Sequence, residues 1–140
     1  MRKMKDNLPG IPGYHITLDG RVYSRFTRVT RKVQNKYGDH CTHFILGRKY
    51  KMRKCSVKNS GYKCLDIWVP GENNRIRKKY MVHTLVYMAW VGEIPEGYVI
   101  DHIDEDKLNN HLSNLQCITQ SENVRKSIKH RKSCVQRPKY

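Results

Sequence analysis

The chain has 140 residues, 28 of them Lys or Arg and 12 Asp or Glu, for a formal net charge of +16 at pH 7. That length holds one domain with a modest core, contains no run approaching the roughly 20 apolar residues of a membrane span, and begins "MRKMKDNLPGIPG" without the apolar middle of a secretory signal, so a soluble, cytoplasmic protein is expected. So much positive charge attracts polyanions; because it is spread along the chain and not gathered on one amphipathic helix, nucleic acid is expected as partner and a membrane is not.

Residues 13–29, "GYHITLDGRVYSRFTRV", contain two β-prone runs around Asp19-Gly20, a dipeptide suited to a tight hairpin turn. Arg21, Tyr23, Arg25 and Phe26 alternate charge with aromatic surface, which suits phosphate contact and stacking, or simply a half-buried strand with solvated arginines. From Arg31 to Lys58 the sequence is polar, basic and aperiodic, and only loops and short strands are expected there. A second hairpin is clearer: in "GYKCLDIWV" Leu65, Ile67 and Val69 alternate with polar positions, "PGENN" turns the chain, and "RIRKKYMV" returns it.

The period then changes. Val82, Leu85, Val86 and Ala89 fall at i, i+3, i+4 and i+7, predicting an amphipathic helix that closes the core and ends near Gly92 and Pro95. His83 falls off that stripe and reads as a partly exposed histidine packed on its neighbours, with a phosphate contact as the alternative. A strand "YVIDHI", a polar loop, a strand "LQCIT" and a helix from about residue 120 follow. Thr119 and Glu122 have the spacing of a capping box at that helix start. The continuation "NVRKSIKHRKSCVQRPKY" is strongly basic.

Half of the acidic residues (Glu93, Glu96, Asp101, Asp104, Glu105 and Asp106) gather beside His102. An antiparallel pair followed by a helix returns the chain to its starting point, bringing Asp101 near Asn123. A carboxylate and an amide oxygen suit one hard divalent cation, Mg²⁺ or Mn²⁺, better than zinc. His102 then reads as a general base for attack on a phosphodiester, since an imidazole takes a proton from water near neutral pH. On their own, the same residues fit at least as well a hydrogen-bonded structural histidine beside a turn aspartate.

Residues 82–123, "VHTLVYMAWVGEIPEGYVIDHIDEDKLNNHLSNLQCITQSEN", resemble the HNH nuclease module of phage-encoded homing endonucleases, with its V-H-x-L-V helix, D-H-I-D, N-N-x-L-x-N-L and S-E-N. The first hairpin and "SGYKCLDIWV" resemble, more weakly, the segment that often precedes it. The resemblance implies a ββα-metal finger in which Asp101 and Asn123 hold the metal, His102 is the base and Asn114 braces the loop. It further implies hydrolysis of double-stranded DNA to a 3′-hydroxyl and a 5′-phosphate, and a phage source. The expected architecture is α+β: a basic β-hairpin DNA-binding region at 1–60, the nuclease core at 61–128 and a basic helical tail at 129–140. Arg21, Arg25, Arg125, Lys126, Lys129, Arg131 and Lys132 are the expected DNA contacts. The competing reading is a basic nucleic-acid-binding protein that retains an inactive HNH scaffold, and RNA is a further candidate target. Monomer and homodimer both stay open.

Two departures from the pattern bear on the site. The D-G-N turn after D-H-I reads Asp104-Glu105-Asp106, without the glycine that most easily takes positive φ, and Cys117 stands where an aromatic residue is usual. Cys41, His43, Cys55 and Cys64 lack the close pairing of a zinc knuckle, so plain thiols are expected in place of structural zinc. His111 and His130 are placed near the site, and Asn109 and Asn110 are read as loop-bonding residues.

Overall fold

The computed structural model describes residues 4–32, 40–72 and 75–135, and leaves the side chains of 28–44 and 132–135 outside the described residues. In chain order the elements are β1 (Tyr14–Ile16), β2 (Val22–Lys32), β3 (His40–Met52), β4 (Ser56–Val57), β5 (Lys63–Pro70), β6 (Arg75–Met81), α1 (Val82–Trp90), β7 (Tyr98–His102), a 3₁₀ turn (Leu112–Asn114), β8 (Leu115–Thr119) and α2 (Gln120–Val135). They form three antiparallel sheets, β1-β2-β3, β4-β5-β6 and β7-β8, with two helices. The class is α+β.

In the first hairpin Ile16 pairs with Val22, so five residues link the strands instead of a two-residue turn at Asp19-Gly20. The Thr17 hydroxyl explains the wider loop: it donates to Asp19 Oδ1 and accepts the Arg21 amide at 2.9 Å, doing locally what a tight turn does with backbone alone. Gly20 takes φ +85°, and a Cβ there would lie 2.9 Å from Asn110 Cβ. Leu112 donates its amide to Leu18 O at 2.8 Å. The first hairpin is thereby seated against the loop between β7 and β8.

The aperiodic stretch after Arg31 proves to contain β3, thirteen residues long and paired with β2 from Tyr23↔Met52 to Lys32↔His40, with an irregularity between Ser24 and Phe26. The second hairpin follows its alternation: Leu65, Ile67 and Val69 are buried, and Ile67 pairs with Lys78. Residues 75–79 of β6, the end strand of its sheet, are exposed throughout.

β6 runs straight into α1. Val82, Leu85 and Val86 are fully buried, and the stripe meets Leu8, Ile11, Tyr14, Ile16 and Val22 from the first residues, Leu65, Ile67 and Val69 from β5, and Ile100 and Leu115 from the β7–β8 pair in one core. Two polar ties cross it: the Trp68 amide donates to the Tyr14 hydroxyl at 2.7 Å, and Trp90 Nε1 donates to Ile16 O at 3.0 Å. The helix ends where Val91 and Gly92 both donate to Tyr87 O, with Gly92 at φ +135°. Among the described residues no helix is long and apolar enough to cross a membrane.

Candidate active site

β7 and β8 pair from Tyr98↔Thr119 to His102↔Leu115, and α2 begins immediately after β8. The capping box forms: the Glu122 amide donates to Thr119 Oγ1 at 3.2 Å, and the Glu122 carboxylate accepts the Thr119 amide at 3.0 Å. This rigid start sets where Asn123 and Lys126, three residues apart on one helix face, meet the end of β7.

The loop between the strands is held by its own polar side chains. Asn114, buried, donates through Nδ2 to Asp104 Oδ1 at 2.8 Å and to Asn109 O at 2.9 Å, while its Oδ1 accepts the Asp104 amide at 3.1 Å. Asp104 also accepts the Asp106 amide at 2.8 Å and Asn109 Nδ2 at 2.8 Å. Hydrogen bonds from Asn109 and Asn114 hold the Asp104 carboxyl below its usual range. The missing glycine is met directly: Glu105 takes φ +64°, the one positive φ at a non-glycine among the described residues. The left-handed region costs an ordinary residue about 1–2 kcal/mol, and the hydrogen bonds around it hold the turn there.

Removing the central amide tests this arrangement. Asn114→Ala is expected to lower stability by about 1–3 kcal/mol, because buried loop groups lose their partners, and to lower activity with it. Thermal melting and cleavage kinetics measured together are the check; an unchanged melt with unchanged kinetics would reduce Asn114 to a passive loop residue.

Asp101, His102 and Asn123 line one open cleft of about 640 Å³, together with Glu105, Lys126, His130 and Arg131. Asp101 Oδ2 accepts from Lys126 Nζ at 2.6 Å and from Gln116 Nε2 at 2.9 Å, and Lys126 also donates to His102 O at 2.9 Å. Burial pushes the Asp101 carboxyl up, but the bonds from Lys126 and Gln116 outweigh it, so the group lies below its usual value and is charged at neutral pH. Glu105 and His130 face each other across the rim at 2.8 Å.

His102 is only 2% exposed, with Nε2 3.0 Å from Asn110 Oδ1. The His83 ring lies edge-on at 5.0 Å and the Tyr62 ring is tilted at 6.0 Å. His83 is therefore buried, not partly exposed as the sequence suggests. The reason is that α1 is covered on two sides, with β7 packed beside the face next to the apolar stripe. Burial first, and the neighbouring His102 second, lower its pKa to about 4, so His83 is neutral at physiological pH. Its Nδ1 is buried without a hydrogen-bond partner among the described residues.

The donor set fits a hard divalent cation. Asp101 supplies an ionised carboxylate, Asn123 shares the cleft with an amide oxygen, and the Lys126 ammonium already sits as a monocation on Asp101 Oδ2. Among the described residues no group of three His, Cys, Asp or Glu side chains is arranged to hold a metal.

The expected DNA contacts separate by geometry. Arg125, Lys129 and Arg131 are exposed on α2, and Lys126 is turned into the cleft. Lys132 belongs to α2, with its side chain outside the described residues. Arg21 is exposed and pairs with Asp19 at 3.0 Å. Arg25 is turned inward: Nε and a terminal nitrogen reach Asp6 at 3.1 and 2.5 Å, and the Tyr50 hydroxyl donates to the same carboxylate. Its geometry is that of a tie between the N-terminal segment, β2 and β3. Sequence reasoning passed over the run "RIRKK" of β6, whose Arg75, Arg77, Lys78 and Lys79 are all exposed; its charge density was the available signal. His111 Nδ1 accepts the Ser113 amide at 3.2 Å and so caps the 3₁₀ turn. Cys55, Cys64 and Cys117 are free thiols, and Cys41 and His43 have side chains outside the described residues.

A family model described as HNH endonuclease matches residues 80–125, the stretch from the end of β6 to the first turns of α2 that carries Asp101, His102 and Asn123. Over these residues the chain is similar to HNH endonucleases. It is 35% identical over 89 residues to the SPbeta prophage-derived protein YosQ of Bacillus subtilis, named as an HNH homing endonuclease, covering 63% of this chain and 50% of YosQ. An uncharacterized HNH endonuclease of Acanthamoeba polyphaga mimivirus is 31% identical over 133 residues, 91% of this chain and 32% of that protein. The chain thus spans half the length of one curated relative and about a third of the other. Among solved structures, one of DNA binding and cleavage by the HNH homing endonuclease I-HmuI is similar, with a TM-score of 0.61 and 26% identity over 89% of this chain and 57% of that one. The likeness to that structure therefore reaches beyond the cleft into the hairpins that precede it.

Proposed function

We propose that this protein is a DNA endonuclease of the phage homing type, dependent on one divalent cation, Mg²⁺ or Mn²⁺, and acting in the cytoplasm of a bacterial host. The observation that carries the reading is the convergence of Asp101, His102 and Asn123 on one cleft at the end of the β7–β8 pair. Asp101 and Asn123 would hold the cation, which would supply charge stabilisation to the phosphodiester undergoing cleavage. His102 takes a proton from the attacking water. Asn114 keeps the loop closed so that Asp101 and His102 keep their positions at the strand end. The basic face of α2 and the exposed edge strand β6 receive phosphates, and the long β2–β3 pair extends the binding region formed by residues 1–60.

Supercoiled plasmid tests this. Relaxed or linear product is expected with Mg²⁺ or Mn²⁺ and none with chelator, and Asp101→Ala or Asn123→Ala removes most of the activity while leaving the protein folded. Calcium, with longer bonds and looser coordination, supports binding better than chemistry. Intact plasmid under every metal, with DNA still bound, would favour the inactive-scaffold reading. Preferential competition by duplex RNA would move the target away from DNA.

A further inference from the structure

A second asparagine of the "NNHLSN" loop, one the family resemblance leaves without a role, reaches the proposed base. Asn110 is 3% exposed and lies eight residues after His102. Its amide orientation is decided by its other contact. Nδ2 lies 3.3 Å from Leu108 O, a carbonyl that can only accept, so the nitrogen faces Leu108 and Oδ1 faces the imidazole. Oδ1 is itself only an acceptor, and His102 Nε2, 3.0 Å away, must therefore carry the proton. In a neutral ring that leaves Nδ1 with the free lone pair.

The rest of the fold holds Asn110 in place. The Asn110 amide donates to Leu108 O at 3.2 Å, and the loop just beyond is tied to the first hairpin through Leu112 and Leu18. Gly20 lies so close that a Cβ there would come within 2.9 Å of Asn110 Cβ and 3.2 Å of Val82 Cγ1. The His83 and Tyr62 rings pack against the His102 ring, which also lines the cleft. A buried imidazole with rings on two sides and an acceptor on Nε2 has one tautomer and one orientation.

We propose that Asn110 is a positioning residue of the nuclease site, fixing His102 as the Nε2-protonated tautomer so that Nδ1 is the nitrogen that takes the proton from water. The first hairpin, through Gly20 and Leu18, keeps Asn110 seated. This rests on the endonuclease reading for its consequence, but the tautomer is a property of the folded chain alone.

The experiment has two arms on the full chain. With histidine ¹⁵N-labelled, long-range proton–nitrogen correlation at a pH where His102 is neutral should show Nε2 protonated and Nδ1 bare. A protonated Nδ1 in the wild type overturns the proposal without reference to any variant. In single-turnover cleavage at saturating protein, Asn110→Leu, which keeps the branched shape and loses the acceptor, should be slower by about 10–100-fold, the range seen when a partner that orients a metal-site histidine is removed, with DNA affinity retained. Asn110→Asp keeps an acceptor and should restore most of the rate. Wild-type speed in Asn110→Leu, or equal loss in Asn110→Asp and Asn110→Leu, would make Asn110 a packing residue only. Wild-type protein that binds DNA yet cuts in no metal marks failure of the endonuclease reading instead; the positioning role then falls with it, while the tautomer result stands.

Discussion

His102→Ala is expected to slow single-turnover DNA cleavage by about 10²–10⁴-fold, the range for a lost general base, while DNA affinity stays close to that of the wild type. The separation follows from burial. At 2% exposed, His102 offers almost no surface to a bound duplex, and its chemistry acts through one ring nitrogen at the cleft. The substitution also removes a large buried side chain packed against Tyr62 and His83, so a lower melting temperature is expected from the cavity. His102→Gln separates the two effects, because it retains more volume and its amide nitrogen can still donate to Asn110 Oδ1 while presenting no base to water. Both variants should be slow and only the alanine markedly less stable. Loss of binding in either, or normal turnover in either, would move the base to another residue.

What the sequence made legible was whatever is encoded in local pattern against a core. Leu65, Ile67 and Val69 alternate because one face of β5 is buried, and Val82, Leu85 and Val86 recur at helical spacing because one face of α1 is. Thr119 and Glu122 announce α2 through chemistry that needs no tertiary partner. β3 left no such trace: residues 45, 46, 48, 49, 51 and 52 are exposed, so neither face imposes an alternation on the sequence. Positions whose surroundings the sequence did not show share a different cause, a partner distant in the chain. Arg25 beside aromatic neighbours suggested phosphate contact, but Asp6, nineteen residues earlier, captures its guanidinium. His83 looked peripheral because the helical period marks one apolar face, whereas β7 and His102 cover the next. Asn110 carried only a turn propensity until the fold placed His102 against it. Asp101 and His102 were marked by the gathering of acids and the D-H-I-D motif, and Lys126 seated on that carboxylate was not foreseeable from either.

Raising salt from 50 to 200 mM should lower DNA affinity by about 10³–10⁵, as expected where 6–10 phosphate contacts release counterions. The charge supports a number in that range, since 28 basic residues face 12 acidic ones and several acids are already engaged within the fold. The useful measurement is how the slope changes in two groups of variants. Alanine at Lys129, Arg131 and Lys132 removes charge from α2 beside the cleft; alanine at Arg75, Lys78 and Lys79 removes it from the β6 edge. Every side chain taken off a phosphate should shallow the slope by about 0.9, so each triple variant reports how many of its three residues touch the backbone. Arg77 is left out of the second group because it shares Asp66 at 3.7 Å, an exposed pair of little energetic weight that still muddles the count. Arg25→Ala serves as the contrasting control: with its guanidinium on Asp6, it should cost stability and leave the slope alone. In neither triple variant should the cleavage rate of fully bound DNA fall as it does without His102, because the hydrogen bonds described on Asp101 and His102 come from Lys126, Gln116 and Asn110. A slope unmoved by both triple variants would place the DNA on a different face from α2 and β6, and a slope moved by Arg25→Ala would return that residue to the DNA surface.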